Sequence, residues 1–376
     1  MSQRVPLQRE DVTIGHPLPW TIFDRSGTLL LRQGAIITDE RMLERLIGRE
    51  ALRDTPDLAS RQKHKVRVAP KNSARPVNPF ESVSRFRARC SQVFQQLRTG
   101  EEGAVDKCLA LAADVGVMFD SAPDACIALV HLEWRQADSI THALCTSLLV
   151  HLLARRTEQG SSPALLAAAL TSNVSTLAYQ ERLNAQEGEL SSEQLAMVRR
   201  HPEESVAILR GQGLGDRDWL QAVHQHHERS DGKGYPQGLR AEQIHPWARM
   251  IGMVDCYLAM VGKRGYHELK TPQQALRYFL ECGSVHEQDL STTLIRALGV
   301  YPPGSSVRLA NGEYAMVIRR NPAKPVCPEV RAIASADGAP YSVANLRDCA
   351  KQDFRIWQLV PTPPKVAVPL PSLWGY

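Results

Sequence analysis

No two of the eight cysteines stand in C-x-x-C spacing: Cys90, Cys108, Cys126, Cys145, Cys256, Cys282, Cys327 and Cys349 are scattered over 376 residues. A disulfide framework or a zinc knuckle is not expected, and free thiols in a reducing compartment are. No apolar run approaches the ~18 residues that a membrane helix needs. The opening MSQRVPLQREDV lacks the apolar stretch of a secretory leader. The expectation is a cytoplasmic protein with no membrane contact. Aromatic residues are scarce, at 6%, and none falls in the most basic stretch, RQKHKVRVAPKNSARP from Arg61 to Pro76. Basic runs can touch nucleic acid or anionic lipid. Without rings for base stacking, this one reads as a solvated linker, and no nucleic-acid partner is expected. Internal repeats are absent too.

What is present is an ordinary globular mix, 43% hydrophobic and 23% charged with a formal net charge of +5. At ~100–200 residues per domain the length allows two or three domains. Residues 1–60 read as a small α+β module: an extended run Leu18–Asp24, a turn at Arg25-Ser-Gly27, a returning strand from Thr28 to Leu31, then helical spacing from Asp39 to Ile47. Residues 61–79 form the basic linker. Residues 80–300 are almost entirely helical in pattern, with Ile140, Leu144, Leu148 and Leu152 recurring every fourth position. Leu165 to Leu177 is apolar nearly all round, predicting one central buried helix. Residues 301–376 hold short strand-like runs, an Asn311-Gly312 hairpin signal and a proline-rich tail. The fold expected is mostly α, a helical bundle flanked by the small N-terminal α+β module and a small C-terminal β unit.

The densest chemistry lies in His226-His-Glu-Arg-Ser-Asp-Gly-Lys-Gly-Tyr-Pro-Gln-Gly-Leu239. Neutral imidazoles are good ligands for iron, manganese or zinc. Adjacent histidines cannot share one helix face, so they suit two metals, or a metal and a substrate. Gly232 and Gly234 permit backbone that other residues resist, and Pro236 stiffens the exit. His142 lies on a helix predicted from Ser139 to Arg155. His201 is expected to open a helix, with Pro202 at its first position. Asp255 sits in the apolar run Ile251–Tyr257, where a carboxylate needs a partner. Taken singly, His142 reads first as a satisfied core histidine, His201 as a helix-start residue, and Asp255 as a capping or arginine-paired carboxylate.

In order and spacing these residues resemble the HD-GYP domain family, cyclic di-GMP phosphodiesterases of the HD superfamily. The likeness covers roughly Arg135 to Leu280. HHERSDGKGYPQGL matches that family's HHExxDGxGYPxGL at every fixed position, Arg199-Arg-His-Pro202 matches its His-Pro step, and Val254–Ala259 matches its DxYDA motif at Asp255 and Tyr257. The resemblance implies an HD-type helical bundle with metal ligands at His142, His201, His226, His227 and Asp255. An acidic ligand can stand at Asp138. Substrate contacts are implied at Arg264, Gly234, Tyr235 and Pro236. It implies a divalent metal, iron or manganese, cyclic di-GMP as ligand, and diguanylate cyclase (GGDEF) proteins as partners. The N-terminal module and the run Gly304–Glu313 resemble segments that often flank such domains.

The chain departs from the family where HDxGK belongs. Thr171-Ser-Asn-Val-Ser-Thr176 stands there, with Ser172 for the histidine, Asn173 for the aspartate and Thr176 for the lysine; Leu258 replaces a second aspartate in the last motif. In the superfamily the paired aspartate bridges two metals. An asparagine amide is neutral and its nitrogen is no ligand. The expectation is one bound ion or none, and a protein weakly active or inactive as a hydrolase that binds nucleotide or protein. The alternative is an active phosphodiesterase in which Asp138 or Glu228 compensates.

Overall fold

A computed structural model describes the chain outside residues 1–3, 13–17, 19, 32–36, 38–39, 55–76, 134–137, 187, 189, 263–269, 283–284 and 362–364. Two units emerge, Met1–Ala74 and Arg75–Tyr376. Most of the basic segment Arg61–Pro76 lies outside the described residues.

The first unit is a four-stranded antiparallel sheet with one helix. In chain order come β1 (Arg4–Pro6), β2 (Ile22–Phe23), β3 (Leu29–Leu31), α1 (Glu40–Gly48) and β4 (Leu52–Asp54), with sheet order β1-β4-β2-β3. The β2–β3 turn closes because Asp24 accepts from Thr28 N at 2.8 Å and from Ser26 Oγ at 2.6 Å. Gly27 supplies the positive φ of +88°. Leu7, Leu18, Trp20, Ile22, Ile37, Leu43 and Ala51 fill the core.

The second unit is a helical body carrying a C-terminal sheet. Its helices are α2 (Pro79–Thr99), α3 (Ala104–Ser121), α4 (Pro123–Glu133), α5 (Ser139–Ala154), α6 (Pro163–Thr171), α7 (Gln180–Ala185), α8 (Ser192–Gly211), α9 (Arg217–Gln225), α10 (Pro246–Val261), α11 (Pro272–Cys282) and α12 (Val285–Leu298). α2 starts where Asn78 caps Phe80 N ahead of Pro79 and stops at Gly100, φ +81°. Every α5 residue from Thr141 to Ala154 is buried, so α5 is the central helix, enclosed by its neighbours. Among the described residues no single helix is long and apolar enough to cross a membrane.

Two sequence expectations need correction. Leu165–Leu177 is not one helix: α6 ends at Thr171, turns at Ser172-Asn173 and continues as a 3-10 segment over Val174–Ala178. Short hydroxyl side chains compete for the backbone there. Thr171 Oγ1 donates to Ala167 O (2.8 Å), Ser172 Oγ to Ala169 O (3.1 Å) and Thr176 Oγ1 to Asn173 O (2.9 Å). Nor does a helix begin at His201-Pro202. α8 is started upstream by a Ser191/Gln194 capping box, and Pro202 lies inside it.

The C-terminal sheet comprises β5 (Ser306–Leu309), β6 (Tyr314–Arg319), β7 (Glu329–Ala334), β8 (Pro340–Asp348) and β9 (Ile356–Leu359), antiparallel in the order β8-β7-β6-β5-β9. Asn311-Gly312 makes the β5–β6 turn, with Gly312 at φ +88°. Met316, Ile318 and Ile333 pack with Leu132 of α4, and Arg320 bridges Asp124 and the Ala297 carbonyl. Inside the sheet Glu313 accepts from both Arg347 Nε (2.8 Å) and Nη2 (2.7 Å), from Asn311 Nδ2 (2.9 Å) and from Tyr341 Oη (3.0 Å).

The Arg347 hydrogen bonds foremost hold the Glu313 carboxyl down to about 2, against its ordinary 4.5. The unfolded chain therefore takes up the proton first. The stability Glu313 contributes is full above pH 4.5 and is lost as pH falls toward about 2. Glu313→Gln is expected to cost on the order of 2 kcal/mol at pH 7 and to flatten the acid limb of the stability curve over that window. Urea melts from pH 7 to pH 3 check this; parallel curves for the two proteins would refute it.

Candidate functional site

Proline has no N–H, so Pro202 cannot make the helical bond to the carbonyl four residues back, that of Val198. The His201 ring takes that carbonyl: Nδ1 lies 2.6 Å from Val198 O. At the end of α9, where last-turn carbonyls lack helical partners, a second ring takes one, with His226 Nδ1 2.7 Å from Val223 O. A carbonyl oxygen can only accept, so both Nδ1 atoms carry the hydrogen and both Nε2 atoms present a lone pair. Those two Nε2 atoms face each other at 3.1 Å. Burial, and then the neighbouring ring, His226 for His201 and His227 for His226, pushes each histidine down to about 3. A shared proton is therefore disfavoured at neutral pH. Two buried lone pairs aimed at one point fit a metal cation. His227 joins them: ligand atoms of His201, His226 and His227 all lie within 4.8 Å of one another.

α10 brings the carboxylate. Burial alone would raise the Asp255 carboxyl, but the hydrogen bond and charge of His142, followed by His227 and His226, hold it well below the usual carboxylate range. His142 Nε2 on α5 is 3.1 Å from Asp255 Oδ1. This approach depends on Gly252, one turn before Asp255. A Cβ there would stand 2.3 Å from the His226 carbonyl oxygen. Nothing in the sequence singled out Gly252; a glycine inside an otherwise apolar helix was the available signal. Gln225 was missed as well: its Oε1 accepts from His245 N at 2.7 Å, tying the α10 entry to the end of α9.

The segment after the histidines folds around Glu228, whose Oε1 accepts from Gln237 N (2.6 Å) and Oε2 from Leu239 N (2.9 Å). Gly234 touches the Glu228 backbone so closely that an added Cβ would lie 2.5 Å from its Cα. Tyr235 N donates to His227 O (3.1 Å), and the Tyr235 ring stacks on His227 at 4.7 Å. Pro236 follows it in the half-buried wall. Glu228 is thus a clamp on the loop. Its substitution by alanine is expected to free two backbone amides and loosen the Tyr235 stack. Amide hydrogen exchange at Gln237 and Leu239 should rise by at least tenfold, the loss of about 1.4 kcal/mol of local protection. Unchanged protection would show that the carboxylate does not hold the loop.

At the positions of the family's central pair, Asn173 Nδ2 donates to Ser172 Oγ (3.3 Å), and Ser172 Oγ turns back to its own helix. The 3-10 segment that follows is stitched to α8: Ser175 Oγ donates to His201 O (2.9 Å), and Ser205 Oγ lies 3.0 Å from it. The compensating carboxylates considered from sequence are committed elsewhere. Asp138 caps α5 through Thr141 N (2.7 Å) and pairs with Arg87, and Glu228 is the loop clamp. Arg264 lies outside the described residues. His142, His201, His226, His227 and Asp255 come together, whereas Ser172 and Asn173 are tied to each other and to α6.

An HD domain family model matches residues 126–285. Over 277 residues the chain is 28% identical to the cyclic di-GMP phosphodiesterase PA4108 of Pseudomonas aeruginosa, covering 72% of this chain and 66% of that protein. It is 26% identical over 215 residues to the cyclic di-GMP phosphodiesterase response regulator RpfG of Xanthomonas campestris, covering 54% and 55%. The match therefore spans less than two thirds of either relative. Among solved structures, Bd1817, an HDG"Y"P protein from Bdellovibrio bacteriovorus, aligns with a TM-score of 0.48 at 16% identity, covering 78% of this chain and all of that one.

Proposed function

This chain belongs to the HD-GYP domain family, and from that premise we propose that it serves cyclic di-GMP signalling as a binding protein, holding the nucleotide at a one-metal site that hydrolyses it weakly or not at all. The observation that carries the reading is the bond from Asn173 Nδ2 to Ser172 Oγ, with Ser172 itself turned back onto Ala169 O. A bridging carboxylate and an imidazole are both missing there, so the charge and ligands for a second ion are missing too. His201, His226, His227 and Asp255, with His142 behind Asp255, would hold one divalent ion, iron or manganese. When bound, such an ion polarises phosphoryl oxygens and lowers the pKa of coordinated water.

The chain's own groups account for recognition. The two Nδ1–H···O=C bonds fix the rings before any ligand arrives. The Glu228 clamp holds the Tyr235-Pro236 wall against His227, where a base can lie on aromatic surface. The exposed rim of the same loop, Lys233 and Gln237, is the surface proposed for a GGDEF-protein partner. The active-phosphodiesterase reading draws on the same intact loop and on Asp255 being in place.

The test is anaerobic loading of the full chain with iron or manganese, followed by metal analysis, nucleotide binding and turnover on one sample. One ion per chain, saturable cyclic di-GMP binding and turnover no more than a few-fold above the metal-free control are expected. Two ions per chain at near-full occupancy, or turnover well above that control, would overturn the one-metal binding protein and favour the enzyme.

A further inference from the structure

A second cleft lies away from the histidine cluster, between the end of α10, the start of α11, and strands β5 and β9. Its cavity volume is about 40 Å³, it opens to solvent, and it is lined by His131, Lys270, Thr271, Ser305, Ser306 and Val360 among others. Its described lining contains no carboxylate. We propose that this cleft binds a phosphate group.

Three kinds of donor stand in or beside it: an ammonium, a helix-start N–H and two hydroxyls. Lys270, a lining residue, brings an ammonium group on an exposed side chain whose Nζ now lies 5.2 Å from the Tyr278 ring centroid. α11 begins there with Pro272. Thr271 Oγ1 takes Gln274 N (3.2 Å) and Thr271 O takes Ala275 N (3.0 Å). The Gln273 N–H is the first-turn donor that neither bond uses, and it lies at the positive end of the helix.

The independent observation is in β5. Ser305 and Ser306 are 4% and 2% exposed, and neither buried hydroxyl has a hydrogen-bond partner. Buried hydroxyls are ordinarily paired. Ser306 alternates with Val307, which belongs to the core on the other face of the sheet. It is paired in register with Met316, whose cluster packs on Leu132 of α4. Ser306 therefore faces the helical body, as the cleft does. An ammonium, a helix-start N–H and two hydroxyls suit a tetrahedral oxyanion with four acceptor oxygens better than a planar carboxylate with two.

The lining of the cleft also touches α10. His131 Nδ1 lies 2.9 Å from both Ile127 O and Pro303 O, and its Nε2 lies 2.7 Å from the Tyr257 hydroxyl. Tyr257 is two residues from Asp255 on α10, so His131 joins the lining of the cleft to the helix that carries Asp255.

The experiment uses the full, metal-free chain, titrated calorimetrically with inorganic phosphate and, in a second arm, with glycerol phosphate, at constant ionic strength in chloride. Saturable binding of one anion per chain is expected, weakened about tenfold or more in Lys270→Met and in Ser306→Ala, and unchanged in His227→Ala. Tighter binding of the ester would identify an esterified phosphate, and tighter binding of the inorganic ion a free one. Lys270 is exposed, so Lys270→Met keeps the test open if the serine variant fails to fold. No saturation, binding indifferent to both variants, or loss in His227→Ala instead would overturn the proposal.

Discussion

Replacing Ser172 by histidine and Asn173 by aspartate together is expected to take the chain from one bound metal to two and to raise turnover of cyclic di-GMP by about 100-fold or more. Both positions sit in the turn between α6 and the 3-10 segment, one stitch of hydrogen bonds away from His201 on α8. At present Asn173 Nδ2 bonds to Ser172 Oγ, and Ser172 Oγ to Ala169 O. Histidine gives up that back-bond and presents a lone pair; aspartate adds a negative charge that can span two cations. A barrier lowered by about 2.7 kcal/mol is a 100-fold rate, a modest demand on a second ion that activates water. Ser172 is 1% exposed, so the larger ring must displace neighbours, and Asn173→Asp alone is the control for overpacking. A second ion without turnover would place the deficit in the nucleotide-facing wall. No second ion in a folded double variant would sink the idea that this pair is what the site lacks.

The second large effect is expected from a single methyl group. Gly252→Ala places a Cβ 2.3 Å from the His226 carbonyl oxygen, a backbone atom that cannot rotate aside. Either α10 withdraws or the His226 turn shifts. Overpacking of this kind costs about 1–3 kcal/mol, and a displaced α10 carries Asp255 away from the imidazoles. Stability should fall by that amount, and affinity for manganese by more than tenfold. Gly211→Ala is the matched control, since nothing lies within 4 Å of its added Cβ, and it should be neutral or slightly stabilising. A Gly252→Ala protein with unchanged metal affinity would show that Asp255 does not depend on the close approach.

The mostly helical body and the flanking small sheets could be anticipated from periodicity, because apolar faces are written linearly, whereas the gathering of His142, His201, His226, His227 and Asp255 was implied only by the resemblance to the HD-GYP family. What could not be anticipated depended on partners distant in the chain. Pro202 looked like a helix start because proline favours first turns; the Ser191/Gln194 capping box upstream outweighs that preference. Leu165–Leu177 looked continuous because hydropathy ignores hydroxyl groups that bond back to carbonyls. Asp138 and Glu228 looked available as ligands because their real partners, Arg87 and two loop amides, are fixed only by the fold.

The proline in α8 has a further consequence. By emptying one carbonyl and letting an imidazole occupy it, the chain settles the orientation and tautomer of His201 when α8 forms, before any ion is present. An ion arriving at such a ring has no rotamer or proton shift to wait for. Less conformational freedom is then lost when the ion binds, which favours affinity through pre-organisation. In that sense a residue that cannot ligate anything helps set the ring that can.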